Sequence, residues 1–178
     1  RELDLVKRDE NGKVINKVIH TITRESEDKS KSITQDDLLD MSLRFNPNYI
    51  VVGEMRSSEA DSAQEAARTG HTVITTIHSN SCESTWRRMT TLCKRKYPNV
   101  DDNVITNLVT EAFPIVVYAK QLENKQRRIM EIMECEICPD GTRKYHSLYQ
   151  YKITENRLEN GEFIIKGAHE KVADISKT

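Results

Sequence analysis

Residues 49–80, YIVVGEMRSSEADSAQEAARTGHTVITTIHSN, decide the fold, because they read as a strand, a helix and a second strand. Positions 49–52 form a short apolar run rich in β-branched residues, which is typical of a parallel strand covered on both faces. Positions 59–68 are good helix formers, and Gly70 closes that helix. Positions 72–77 form the second strand, so the stretch predicts a βαβ unit.

Polar residues follow both predicted strands. Gly53 and Glu54 come directly after the first strand, and His78 comes directly after the second. In open α/β sheets ligands bind at the carboxyl ends of strands, so a carboxylate there points to where a Mg-bound phosphate would sit. Glu54 is therefore the leading catalytic candidate. The alternative for Glu54 and His78 is a structural role as a buried hydrogen-bond or salt-bridge partner.

The segments PNYIVVGEMR at 47–56, TGH at 69–71 and TTIHSN at 75–80 closely resemble the type II/type IV secretion ATPase superfamily. Within it, the chain is most similar to the pilus-assembly and conjugation branch, which includes the CpaF, Tad and VirB11 types. In that family the first segment is the Walker B region and the others form the histidine box. Arg44 matches the arginine three residues before the proline, whereas Asn48 replaces the usual aspartate. The resemblance covers about residues 33–155.

The resemblance implies ATP hydrolysis, with ATP and Mg as cofactors, coupled to domain motion in a ring. Glu54 would orient water or associate with Mg, through water, and His78 would contact the γ-phosphate region. Arg56 would make a structural or subunit-facing contact, and His71 would help to place the histidine-box segment. The residues that the resemblance assigns to nucleotide binding are Gly53, Arg56, Gly70, His71 and Glu2.

The phosphate-binding P-loop motif, G-x-x-x-x-G-K-[ST], does not occur in the 178 residues. That loop supplies the backbone amides, the lysine and the hydroxyl that hold the phosphates and Mg. The opening residues resemble the continuation of the family's acidic Asp box, of which Glu2 would be the last acidic member. We therefore expect the chain to be the carboxyl-terminal part of a longer ATPase and to be inactive by itself.

The expected fold class is α/β: a fragment of a RecA-like P-loop NTPase core, with a mostly parallel sheet flanked by helices and a carboxyl-terminal antiparallel β extension. Residues 1–122 are expected to belong to the ATPase domain, and residues 123–154 to form a β-hairpin extension of it. Residues 155–178 are expected to form a frayed tail with a short strand at 163–166.

Local signals upstream predict one more strand and two capped helices. Residues 14–22 are apolar-rich and predict a strand. Thr34 with Asp37, and Ser58 with Asp61, have the spacing of a helix cap and its partner three residues later.

Downstream of residue 80, two sets of apolar residues at helical spacing, here called stripes, predict helices that pack in the core. Strands are predicted after them. The first stripe is Trp86, Met89 and Cys93, and the second is Val104, Ile105, Leu108, Val109 and Ala112. Strands are predicted at 115–122, 129–138 and 145–153, and the turn PDGT at 139–142 joins the last two as a hairpin.

Charge and composition exclude few classes of protein. With 27 Lys and Arg against 28 Asp and Glu, the formal net charge is −1, so no direct nucleic-acid binding is predicted. The sequence has no run of about 18 apolar residues, so no transmembrane helix is predicted. The resemblance implies a homo-oligomer, a hexameric ring, on the cytoplasmic face of the membrane, with an inner-membrane platform and secretion or pilus components as partners. It leaves open whether the cargo is pilin, a secreted protein or conjugative DNA.

Two alternatives come from other classes of protein. The first is a non-catalytic interaction module of a secretion complex. The second is a small metal-binding or thiol-redox domain built on the C-x-x-C formed by Cys135 and Cys138, with His146 across the predicted hairpin. A closed zinc site needs four ligands, and a fourth is not evident in the sequence. We therefore interpret both cysteines as strand residues and carry no zinc site over; the sequence leaves metal binding by this pair open.

Overall fold

The computed structural model describes residues 4–176, and the chain divides between Ile77 and His78 into two units. The first unit contains a two-stranded parallel sheet of β1 (Tyr49–Val52) and β2 (Thr72–Thr75). Helix α1 (Gln35–Leu43) precedes β1, and helix α2 (Glu59–Arg68) connects the two strands. The strands are in register from Tyr49 opposite Thr72 to Val52 opposite Thr75. The predicted βαβ unit is therefore confirmed.

The apolar side chains of the βαβ unit form the core of the first unit. Ile50 and Val52 point the same way from β1 and are buried, and α2 contributes Ala60, Ala63 and Ala66. Small side chains on that face of α2 allow the helix to lie close to the sheet. Met55, which follows β1, is completely buried.

Two of the three predicted helix-end signals are confirmed. Thr34 and Asp37 form a reciprocal capping box at the start of α1. Gly70 ends α2 with a φ of 101°, a left-handed value that suits glycine. The predicted cap at Ser58 is wrong, because its hydroxyl donates to Asp36 of α1, at 2.8 Å, and accepts no hydrogen bond from the backbone amides in the first turn of α2.

The predicted strand at 14–22 is wrong as well. Residues 4–33 contain isolated bridges, Arg8 with Val14 and Arg24 with Ile33, and a short 3-10 helix at Lys29–Lys31, but no strand. Ile15, Ile19 and Ile22 are 62–82% exposed. An apolar run becomes a strand only where a neighbouring strand takes up its backbone groups, and the described part of this unit provides none at this place.

The second unit packs two helices on a four-stranded antiparallel sheet. Helices α3 (Cys82–Lys94) and α4 (Asp102–Ala112) precede strands β3 (Ile115–Gln121), β4 (Arg127–Ile137), β5 (Arg143–Glu159) and β6 (Glu162–Lys171). The strand order in the sheet is β3-β4-β5-β6. Both helical stripes contribute to the core, through Trp86, Met89, Cys93, Ile105 and Val109, whereas Val104 is 49% exposed. The predicted hairpin at the PDGT turn is confirmed as β4–β5.

The sheets differ from the expectation in two ways. The parallel sheet has two strands and the larger sheet is antiparallel, so the described residues do not form a mostly parallel sheet. Residues 155–171, expected to begin a tail, complete β5 and form β6. Asn160 and Gly161, with φ of 50° and 84°, form the tight turn between them. Asn-Gly is a strong hairpin signal because both residues tolerate positive φ.

Within residues 4–176, the helices are too short or too polar to span a bilayer.

Candidate functional site

Glu54 lies just beyond the carboxyl end of β1, as the sequence predicts. Its side chain is 16% exposed, and the guanidinium group of Arg56, which is 71% exposed, donates to its Oε2. The carboxylate is thus mostly buried and has a cation on its solvent side. An anionic oxygen in this position can hold a metal-bound water or orient a water molecule.

The ends of the two parallel strands are tied together beside Glu54. The amide of Met55 donates to the carbonyl of Thr76, at 2.9 Å, and the hydroxyl of Thr76 donates to the carbonyl of Gly53, at 2.5 Å. These bonds extend the contact between the strands past Val52 and Thr75. Thr76 lies within the TTIHSN motif, but the sequence did not predict its hydrogen bond to Gly53. A hydroxyl residue directly after a strand is only a weak signal for such a bond.

Glu59 fixes the loop that leads from Glu54 into α2. Its side chain is buried, and Oε1 accepts from the backbone amides of Arg56 and of Ser57, the latter at 2.7 Å. A carboxylate in the first turn of a helix is favoured because the helix dipole and the free amides are there. Sequence reasoning treated Glu59 only as the start of the helix and missed this role.

The other predicted site residues have distinct positions. Gly70 makes the turn after α2, and the backbone amide of His71 donates to the carbonyl of Ala66, at 3.2 Å. The His71 side chain is half-buried, and its Nδ1 is buried without a hydrogen-bond partner among residues 4–176. His78 is exposed and begins the second unit. Glu2 lies outside the described residues.

The C-x-x-C is not arranged as a metal or redox centre in the described structure. Cys135 pairs with Tyr145 and Glu134 with His146, so the side chains of Cys135 and His146 project from opposite faces of the sheet. The ring of His146 contacts Glu136 at 2.9 Å. Burial raises the pKa of the Cys135 thiol, the opposite direction from that of a reactive cysteine. Within residues 4–176, no group of at least three His, Cys, Asp or Glu residues is placed to bind a metal ion.

The buried thiol of Cys82 supports a packing role for the cysteines. Its Sγ lies 3.6 Å from the carbonyl oxygen of Val116, in the core between α3 and β3. Burial, and then the nearby charge of Glu131, raise its pKa to about 11. At neutral pH this thiol stays protonated, and it behaves as a small apolar side chain.

Comparison with known proteins places the chain in a family. Residues 10–173 match the family model described as type II/IV secretion system protein, so the chain belongs to that family. This confirms the resemblance that the segments around Glu54 and His78 indicate.

Two relatives are similar to this chain over about two thirds of its length. The chain is 37% identical over 115 residues to an uncharacterized protein, MJ0900, of Methanocaldococcus jannaschii, a match that covers 65% of this chain and 20% of that protein. It is 34% identical over 121 residues to the type IV pilus assembly ATPase PilB of Thermus thermophilus, covering 67% of this chain and 12% of PilB.

Among solved structures, the VirB11 ATPase of the Brucella suis type IV secretion system, crystallised with sulphate, is similar. The TM-score is 0.54 at 28% identity, covering 57% of this chain and 32% of that one. The chain thus spans a third or less of the length of these three proteins.

Proposed function

We propose that the protein to which these residues belong is an ATPase that drives secretion, pilus assembly or conjugation. The carrying observation is Glu54: a mostly buried carboxylate at the end of a parallel strand, with a guanidinium group on it. Two of the similar proteins are named as ATPases, which supports the same activity here. We further propose that β1, α2 and β2 are part of a RecA-like core and that residues 1–122 belong to the ATPase domain.

The residues present fit part of a site for Mg and ATP. Glu54 has the carboxylate that a metal-bound water or an attacking water requires, and Nδ1 of His71 is a buried polar atom without a partner among the described residues. Mg-bound ATP would supply the phosphate that is transferred to water. The motif that cradles its phosphates is not in this sequence, so we propose that other residues of the whole protein provide that cradle.

The side chains of this chain then have separate tasks. Glu54 would accept a hydrogen bond from a water molecule beside the phosphates and so fix the direction of that water. Arg56 places its positive charge beside the Glu54 carboxylate. His78 would donate to the γ-phosphate region, where negative charge must be stabilised. Gly53, Gly70 and His71 shape the backbone next to the nucleotide, and Glu2 would be an acidic neighbour of the metal.

We propose a homo-oligomeric ring of six subunits at the cytoplasmic side of the membrane. Its partners would be an inner-membrane platform and components of a secretion or pilus machine, as membership of the type II/IV secretion family supports. A formal net charge of −1 gives no bulk attraction to nucleic acid, so no direct contact with DNA is proposed.

ATP hydrolysis by the full-length protein tests this function. We expect Mg-dependent phosphate release from the full-length protein and none from residues 1–178, because the phosphate cradle is missing from this segment. Both proteins are assayed at equal concentration, with and without EDTA. Full-length protein that stays inactive even with its membrane partners would favour a non-catalytic interaction module, and activity of residues 1–178 would show that the P-loop is dispensable.

His78→Ala in the full-length protein is expected to lower turnover by about tenfold or more, because one donor to developing negative charge is removed. The side chain is exposed, so the melting temperature should change by no more than about 2 °C. His20→Ala, at another exposed histidine, is the matched control and should leave turnover unchanged. A large fall in melting temperature would instead support a structural role for His78.

A further inference from the structure

We propose that Gln35, the first residue of α1, is a positioning residue for Glu54; this inference rests on the proposed function. The side-chain Nε2 of Gln35 donates to the backbone carbonyl of Glu54 at 3.1 Å, across 19 positions of sequence. The side chain is half-buried, so water competes only partly for this bond. Gln35 contacts Glu54 from helix α1, whereas Glu54 lies in the loop after β1. Gln35 also lies outside the Walker B segment at 47–56.

The start of α1 is itself held in place, which makes Gln35 a suitable support. The amide and hydroxyl of Thr34 both donate to the carboxylate of Asp37, at 2.8 and 2.7 Å, and the amide of Asp37 donates back to the Thr34 hydroxyl at 3.2 Å. These bonds also lower the pKa of Asp37, so the cap stays ionised at neutral pH. Gln35 therefore extends from a fixed helical turn.

The same turn of α1 holds the far end of the loop after Glu54. Asp36 accepts from the hydroxyl of Ser58, at 2.8 Å, and from that of Ser62, at 2.7 Å, and both serines lie at the start of α2. Adjacent residues of α1 thus hold both ends of the loop at 54–58. Thr76 binds the amide of Met55 within this loop and the carbonyl of Gly53 just before it, and Glu59 binds the amides of Arg56 and Ser57.

The carbonyl contact matters because the ion pair with the exposed Arg56 restrains the Glu54 carboxylate only weakly. Arg56 is 71% exposed, and exposed ion pairs are weak and mobile. A hydrogen bond to the carbonyl restricts the backbone torsions on which the direction of the Glu54 side chain depends. A displacement of about 1 Å in a catalytic group can lower turnover by about 100-fold. Loss of one of several supports should have a smaller effect on turnover than loss of Glu54.

The test replaces Gln35 in the full-length protein by methionine, which keeps the length of the side chain and removes the donor. We expect Gln35→Met to lower kcat about tenfold and to leave KM for MgATP within about twofold, since the nucleotide contacts stay. Gln35→Glu also lacks the donor and adds a charge that repels the carbonyl oxygen, so its kcat should fall at least as far. Asp40→Asn, at an exposed position of the same helix, is the matched control and should keep the wild-type kcat. An unchanged kcat in Gln35→Met, or a change confined to KM, would overturn the proposal.

A second readout separates this inference from the proposed function. Hydrogen exchange of the peptide at 53–58 in the full-length protein should be about fivefold faster in Gln35→Met than in wild type, because its backbone is less restrained. This holds whether or not the protein hydrolyses ATP. If exchange is faster in Gln35→Met but the wild-type protein hydrolyses no ATP, the result would support the contact between Gln35 and Glu54 and contradict the proposed ATPase activity. Unchanged exchange would contradict the positioning role itself.

Discussion

Replacing Glu54 with glutamine in the full-length protein is expected to lower ATP turnover at least about 100-fold while ATP binding stays largely intact. Glutamine has almost the same shape, so it keeps the contact of the residue 54 carbonyl with Gln35 and leaves the neighbouring bond from Met55 to Thr76 undisturbed. It lacks the negative charge that orients a water molecule or holds a metal-bound water. The effect should therefore fall on the chemical step.

The measurement combines steady-state phosphate release with equilibrium binding of a fluorescent ATP analogue. Glu65→Gln is the matched control, because Glu65 is an exposed carboxylate on α2 and makes no described side-chain contact. We expect wild-type turnover from that variant. Undiminished hydrolysis by Glu54→Gln would remove Glu54 from the catalytic role. Equal losses of binding and turnover would assign it to nucleotide binding instead.

Trp86→Ala is expected to destabilise the second unit by about 3–5 kcal/mol. Trp86 is 1% exposed, its Nε1 donates to the carbonyl of Phe113 at 2.8 Å, and its ring lies 5.2 Å from the ring of Tyr145. The substitution leaves a cavity between α3 and the sheet and also removes the hydrogen bond from a buried carbonyl. Both effects lower the free energy of unfolding.

Urea unfolding followed by far-UV circular dichroism measures this change, since Trp86 is the single tryptophan and cannot serve as the probe in its own variant. Phe163→Ala is the control, because Phe163 is 43% exposed on β6 and its loss should cost less than about 1 kcal/mol. A loss of stability below about 1 kcal/mol in Trp86→Ala would contradict the packing described for the second unit.

Features that depend on nearby residues were predictable from the sequence. The capping box of Thr34 and Asp37, the turn at Gly70 and the βαβ order all follow from short-range patterns, and each is present. The hairpin between β5 and β6 was also predictable from Asn160 and Gly161, but weak periodicity around that turn led to the prediction of a tail.

Features that depend on contacts between elements were not predictable. The Ser58 hydroxyl has the right spacing for a cap, yet Asp36 lies 22 positions away and accepts its hydrogen bond instead. Residues 14–22 have strand composition, but a strand requires a partner that composition does not identify. The buried carboxylate of Glu59 resembles any acidic residue of a first helical turn until its two amide partners are seen.

The sequence by itself determined the family, the order of β1, α2 and β2, and the position of Glu54 at a strand end, because all of these depend on residue types at fixed short spacing. Only the tertiary structure decided what holds Glu54 in place. Gln35 and Thr76 reach their backbone partners across 19 and 23 positions, through the packing of α1 on the loop and of β2 on β1. Such bonds depend on the distance between elements after folding, and a short sequence pattern does not determine that distance.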